Sequence, residues 1–178
     1  VYQTEAAMAE MQAIFVEEIA RRRDGSGEDF ISALIHAEED GDRMTDDEIV
    51  ATCILVLIAG HDTTTNTMTL GSLALAERPD ARAYIRAHPE RATEIGLEIL
   101  RHSAMSTAQA RSVAEDFEWD GQSLRQGQQV YLLVAGANRD PAVFERPTEL
   151  DLERSNAQAM SFGPGIHHCI GHLLARVQ

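Results

Sequence analysis

One short segment, Phe162-Gly163-Pro164-Gly165-Ile166-His167-His168-Cys169-Ile170-Gly171, gathers residue types suited to holding a metal. Cys169 offers a soft thiolate, the kind of ligand that suits iron, copper or zinc. A helix-like run follows it, and the positive end of a helix dipole favours a thiolate at its mouth. The glycines permit backbone conformations and close approach that a Cβ resists. A single thiolate with no second cysteine nearby fits an axial ligand of haem iron. Two other readings stand beside that one. A free cysteine is usually a small buried hydrophobe. A zinc site could be drawn from His167, His168, Cys169 and His172, although adjacent ligands are awkward and the usual spaced pairs are missing. Nothing in the segment follows a phosphate-binding glycine pattern.

A second candidate is Ala59-Gly60-His61-Asp62-Thr63-Thr64-Thr65, where polar residues abruptly follow an apolar run. Glycine costs about 1 kcal/mol against alanine in a helix, and a threonine hydroxyl can bond back to a carbonyl. A local opening of the helix is therefore expected here, with room for a ligand or water. Asp62 and Thr63, an acid beside an alcohol, could relay protons to whatever is bound there. A polar kink or an exposed face is the plainer reading, but an unpaired aspartate inside a buried helix costs several kcal/mol. A third candidate, Glu98-Ile99-Leu100-Arg101, sets opposite charges at positions i and i+3 of one helix face, an arrangement that is most often surface decoration. Arg111, Arg139 and Arg154 are uninformative singly.

The elements that must position these residues can be read from periodicity and caps. Glu5 to Arg23 repeats apolar residues at helical spacing and ends at Asp24-Gly25-Ser26-Gly27. Asp29 to Glu39 reads as a second helix, closed near Asp40-Gly41-Asp42. Thr45-Asp46-Asp47-Glu48 is a capping box. It opens a helix that runs to about Glu77, stopped by Arg78-Pro79. Apolar on nearly every side from Val50 to Ala59, that helix is expected to thread the interior of a large domain. Short helices follow over Pro79–His88 and Pro89–His102. Arg111–Val113 and Phe117–Trp119 read as strands, with Asp120-Gly121 as a turn. Val130–Val134 is a strand or the start of a short helix. Asn138-Arg139-Asp140-Pro141 and Arg146-Pro147 mark a meander leading to the cysteine segment. The fold class is mainly α with a small β component.

The 178 residues suffice for one domain with a sizeable core, and 44% hydrophobic content looks globular. With 29 acidic against 15 basic residues the formal charge is −14, which makes nucleic acid and anionic membrane surfaces poor partners. Cys53 and Cys169 suggest no disulfide framework, so a reducing, cytoplasmic setting is the default. The longest apolar stretch, Ile49 to Gly60, falls short of the roughly 20 residues that span a bilayer. Val1 is not an initiator and Gln178 falls inside a helical pattern, so a piece of a larger protein is expected.

Taken together and in this order, the segments resemble the cytochrome P450 family of haem-thiolate enzymes. FGPGIHHCIG matches the FGxGxHxCxG haem loop, AGHDTT the central oxygen-activating helix, EILR the ExxR helix, and Asn138 to Pro141 the NRDP stretch. LDLER resembles the FDxxR segment, with Leu150 in place of phenylalanine. The resemblance spans roughly Glu28 to Arg176. It implies the C-terminal part of the P450 fold: long central helix, ExxR helix, meander and cysteine loop. Residues 1–178 would then be a partial domain, with the N-terminal half and the extreme C-terminus outside it.

By the same resemblance, Cys169 would be the thiolate ligand of haem b (iron protoporphyrin IX). Asp62 and Thr63 would deliver protons, with Ala59 and Gly60 forming the oxygen groove. Arg111 and His167 would bind haem propionates, and Phe162 would pack beside the thiolate. Glu98, Arg101 and Arg154 would form a buried triad locking the meander, and Ala104 to Gln109 would approach the substrate. The implied activity is insertion of one oxygen atom from O2 into a small organic substrate. Electrons would come from a ferredoxin or flavoprotein, in a soluble, bacterial-type enzyme. The alternatives are a non-catalytic metal-binding module, or a peroxygenase or isomerase variant, against which the acid–alcohol pair argues.

Overall fold

Reciprocal bonds between Thr45 and Glu48 start the longest helix. The Thr45 amide donates to Glu48 Oε2 at 2.8 Å, and the Glu48 amide donates to Thr45 Oγ1 at 3.3 Å. The structure, a computed structural model, describes residues 2–25, 27–103, 105–155 and 158–177. Ser26 of the expected helix stop, Ala104 at the head of the stretch assigned to substrate, and Val1 and Gln178 lie outside the described residues. The helices are α1 (Tyr2–Arg22), α2 (Phe30–His36), α3 (Asp46–Ala76), α4 (Pro79–Ala87), α5 (Ala92–Ser103), α6 (Val134–Ala137) and α7 (His172–Ala175). The strands are β1 (Glu38–Glu39), β2 (Asp42–Arg43), β3 (Gln109–Ser112), β4 (Phe117–Trp119), β5 (Gln122–Leu124) and β6 (Gln129–Leu132). They form three antiparallel pairs, β1 with β2, β3 with β6, and β4 with β5.

The chain divides into two units after Asp62, inside α3. In the first, Ile19 of α1 packs with Ile49, Val50, Cys53 and Ile54 of α3, and Met8, Met11, Phe15, Leu34 and Met44 pack around them. Burial pushes the Cys53 thiol up, as for any thiol removed from water. Asp29 caps α2 by accepting from the Ile31 and Ser32 amides at 3.0 and 3.1 Å. The second helix is shorter than expected. It ends at His36 because Ala37 is extended, and Asp40 and Gly41, with φ of 53° and 84°, turn β1 back onto β2. An Asp-Gly pair with both residues at positive φ is a two-residue hairpin turn, which here overrides the helical pattern.

In the second unit Ala81, Ile95, Leu150 and Leu152 form the core, with Leu75, Tyr84, Ile85 and Ile99 against it. Gly71 allows a close approach: a Cβ there would lie 2.7 Å from Ile99 Cγ2. Asp120-Gly121 turns β4 onto β5 with the same positive-φ pair, 48° and 73°. The ambiguous stretch 130–134 resolves into both readings, strand β6 followed by α6.

The expectation of a buried central helix is corrected along the middle of α3. Leu55, Leu57, Ile58, Met68 and Leu73 are exposed. Its first turns join the hydrophobic core of the first unit, and Ala74 and Leu75 near its end pack against that of the second. Among the described residues, α3 is the one helix long and apolar enough to cross a membrane by length and composition. The core helix of a larger globular body meets the same description.

Candidate functional site

The sequence placed a pair of opposite charges one turn apart on α5, a pattern usually found on surfaces. In the structure both side chains are fully buried, at 0% exposure. Arg101 meets Glu98 as a fork, Nε to Oε2 at 2.7 Å and Nη2 to Oε1 at 2.8 Å. Its remaining donor positions reach backbone carbonyls of the meander: Asn138 and Pro147 at 2.8 Å from Nη1, and Glu149 at 3.0 Å from Nη2. Arg154 adds Nε to Glu98 Oε1 at 3.4 Å, and the Asp151 amide donates to the same oxygen at 2.9 Å. Arg154 Nη1 donates to the Glu145 carbonyl at 2.6 Å. A guanidinium has five donors in a rigid plane, and at Arg101 that plane fastens three separated carbonyls to one carboxylate. The three residues assigned to a meander lock thus lie together. This is a holding arrangement and has no group free to react.

His102, next on α5, was not singled out from the sequence. Its Nδ1 is buried without a partner among the described residues, and Arg139 Nη2 donates to its backbone carbonyl at 2.7 Å. Burial, then the neighbouring Arg101 and Arg139 guanidiniums, hold its pKa below the ordinary value. Asn138 was quoted only as part of a motif. It is 1% exposed, and both ends of its amide are engaged with residues 160 and 161. Partners that distant in sequence leave no local signal.

The cysteine segment folds as a loop closed on itself. Gly163 and Gly165 have φ of 69° and 74°, a region that favours glycine. The Cys169 amide donates to the Phe162 carbonyl at 2.8 Å and draws the two ends together. His172 Nδ1 lies 2.9 Å from the Cys169 carbonyl, and His168 Nδ1 lies 2.6 Å from the Gly163 carbonyl. Phe162 is half-buried, with His168 and His172 at its edge and the Arg176 guanidinium 5.9 Å from its ring centre. His167 is exposed and Cys169 half-buried. On either side of the sulfur-bearing residue, Ile166 and Ile170 are 97% and 91% exposed. Such apolar side chains beside one thiol suit a large, flat, apolar ring that carries iron. Zinc fits poorly, because no three His, Cys, Asp or Glu side chains converge among the described residues.

The α3 candidates keep a continuous helix. Asp46–Ala76 is unbroken, so the expected opening at residues 60–65 does not form. Thr52 and Thr69 instead bond back one turn, to the carbonyls of Glu48 and Thr65 at 2.7 and 2.8 Å, with the helix intact around them. A Cβ on Gly60 would meet nothing within 4 Å. Ala59, Gly60, Asp62 and Thr63 are exposed, the first three in the first unit and Thr63 in the second. Arg111 is exposed on β3 opposite Val130 of β6, its Nη1 donating to the Ala110 carbonyl at 2.9 Å.

Comparison with known proteins places these features in context. The family model described as Cytochrome P450 matches residues 3–94 and 97–178, so α1 joins the resemblance, which the motifs alone begin near Glu28. The chain is 38% identical over 177 residues to the "Biotin biosynthesis cytochrome P450" of Bacillus subtilis, covering 98% of this chain and 45% of that protein. It is 37% identical over 172 residues to the "Putative cytochrome P450 133B1" of Xylella fastidiosa, covering 97% and 43%. Among solved structures, CYP109E1 from Bacillus megaterium in complex with testosterone superposes with a TM-score of 0.93 at 35% identity, over 99% of this chain and 49% of that one. The chain therefore spans less than half the length of these relatives.

Proposed function

The chain belongs to the cytochrome P450 family, and from that membership we propose that it carries the thiolate side of a haem-dependent monooxygenase, as part of one longer catalytic domain that includes residues 1–178. The enzyme inserts one atom of O2 into a small organic substrate, with electrons from a ferredoxin or flavoprotein, in the cytoplasm. The relatives bear names as different as biotin biosynthesis and a testosterone complex, so the substrate is left at that class. The observation that carries the reading is the cysteine loop, a lone thiol between two nearly bare isoleucines on a glycine-shaped backbone.

Haem b, when bound, supplies iron for dioxygen activation, and electron donation from a thiolate ligand favours O–O cleavage. In this assignment Cys169 would hold the iron as thiolate, with Phe162 in the same loop beside it. His167 and Arg111 would pair with the propionates through charge-assisted bonds. Asp62 and Thr63 are consecutive on α3, the carboxylate as proton source and the hydroxyl as the point of delivery. Ala59 and Gly60 keep side-chain bulk away from that point. Glu98, Arg101 and Arg154 act on none of these atoms and keep the meander in place. The acid–alcohol pair favours monooxygenation over the peroxygenase and isomerase alternatives.

A reduced, CO-treated absorption spectrum of the full-length protein tests the assignment. The expected result is a Soret band at the position typical of thiolate-ligated haem, abolished by Cys169→Ala. Zinc without haem would sink the proposal.

A further inference from the structure

The buried pair on α5 and the cysteine loop belong to separate stretches of chain, and one side chain joins them. Arg101 Nη1 donates to the backbone carbonyl of Asn138 at 2.8 Å. The Asn138 side chain then turns to the segment entering the loop. Its Oδ1 accepts from the Met160 amide at 2.7 Å, and its Nδ2 donates to Ser161 Oγ at 3.2 Å. A backbone N–H can only donate, so the Met160 contact fixes which end of the amide is oxygen. Directly after Ser161 comes Phe162, whose carbonyl takes the Cys169 amide at 2.8 Å. The Asn138 backbone N–H also donates to the Val134 carbonyl at 3.0 Å, which anchors the residue to α6.

We propose that Asn138 is a positioning residue of the cysteine loop, its side-chain amide coupling the meander to residues 160 and 161 and through them to Cys169. The inference rests on the haem-thiolate reading. Three properties support it. Asn138 is 1% exposed, so neither end of its amide can fall back on water. One planar group both accepts from and donates to consecutive residues, which fixes the orientation of that segment as well as its distance. The path from Glu98 to Cys169 is continuous, each step a hydrogen bond or a covalent neighbour. Groups behind a metal ligand commonly fix its orientation in this way.

The test uses the full-length holoprotein with Asn138→Ala and Asn138→Asp. Alanine removes both bonds. Aspartate keeps an acceptor for the Met160 amide and can take a proton donor from the Ser161 hydroxyl. Amide exchange at Met160 and Cys169 is expected to speed about tenfold in Asn138→Ala, with the amides of residues 95–101 unchanged. The thiolate-type CO band should be lost correspondingly faster, and Asn138→Asp should restore most of the protection. Should Asn138→Ala fail to fold, Ser161→Ala is expected to give a smaller, roughly threefold change at the same amides. Wild-type exchange in these variants, or an equal rise at every amide, would overturn the coupling. A wild-type protein without a thiolate-type band would instead overturn the parent reading, which keeps the two failures distinguishable.

Discussion

The Glu98–Arg101 hub and the cysteine loop sit in one unit of the chain and are finished to different degrees. Around Arg101 every donor direction has an acceptor, and no water reaches the pair. Around Cys169 the backbone is equally well closed, but the side chains of Ile166 and Ile170 stand almost bare. The first region is complete from this chain's own atoms. The second has a closed backbone and exposed apolar side chains. Support is therefore encoded within the chain, whereas the loop proposed to face the haem leaves its apolar side chains exposed.

The largest effect is expected where the region is complete. Arg101→Ala strips the buried Glu98 of its bidentate guanidinium and releases three carbonyls, at a cost of about 3–5 kcal/mol. Arg101→Lys should recover little of this, because an ammonium cannot reproduce the planar fork. Urea unfolding of the holoprotein measures both. A loss below about 1 kcal/mol for the alanine variant would erase the contrast between the two regions.

Acid should strain the same region next. Burial, then Arg101 and Arg139, depress the His102 pKa below its ordinary value, while Glu98 and a bond to the Thr148 backbone partly oppose them. The unfolded chain therefore takes a proton more readily than the folded one below about pH 6.5. Stability from this group is complete above that pH and declines as pH falls from there towards the folded-state pKa. His102→Gln should flatten that limb in pH-dependent unfolding. An unchanged acid limb would show that other groups carry it.

These two residues also show what the sequence could convey. The Thr45–Glu48 box and the Asp120-Gly121 turn involve neighbours within a few positions, and both were readable from local spacing. Asp40-Gly41 gives the same local signal, but the apolar pattern before it predicts a helix to Glu39, whereas α2 ends at His36. The burial of Glu98 and Arg101 could not be read, because the carbonyls that satisfy Arg101 lie 37 to 48 positions away. Burial of α3 was over-read for the opposite reason. Composition reports what a helix needs around it, not whether this chain contains it.

At the open region the fold should respond weakly and cofactor retention strongly. Ile166→Ser with Ile170→Ser alters side chains already in water, so unfolding of the haem-free protein should shift by about 0.5 kcal/mol or less. If each isoleucine is covered when haem binds, losing that burial should weaken haem retention by at least about tenfold. Spectrophotometric haem transfer to an acceptor protein reads this directly. Equal retention in the variant would mean that these side chains are bare for another reason.

The smallest structural change, a single hydroxyl on α3, is the most specific test of the chemistry. Thr63 is exposed in a continuous helix, so Thr63→Ala should leave unfolding within about 0.5 kcal/mol of wild type. Its assigned task is to deliver a proton at one step of turnover, and an alcohol does so only with an acid behind it, here Asp62. Without the hydroxyl, reducing equivalents should leave as hydrogen peroxide instead of appearing in product, with the thiolate-type band intact. Asp62→Asn should slow turnover with the same spectrum, because it removes the proton source and leaves the delivering group. The ratio of peroxide to product in the reconstituted holoenzyme separates the two variants. If Thr63→Ala kept wild-type coupling, delivery would have to run through another group. The exposed middle of α3 would then have lost its assigned chemistry, while the buried hub kept its role.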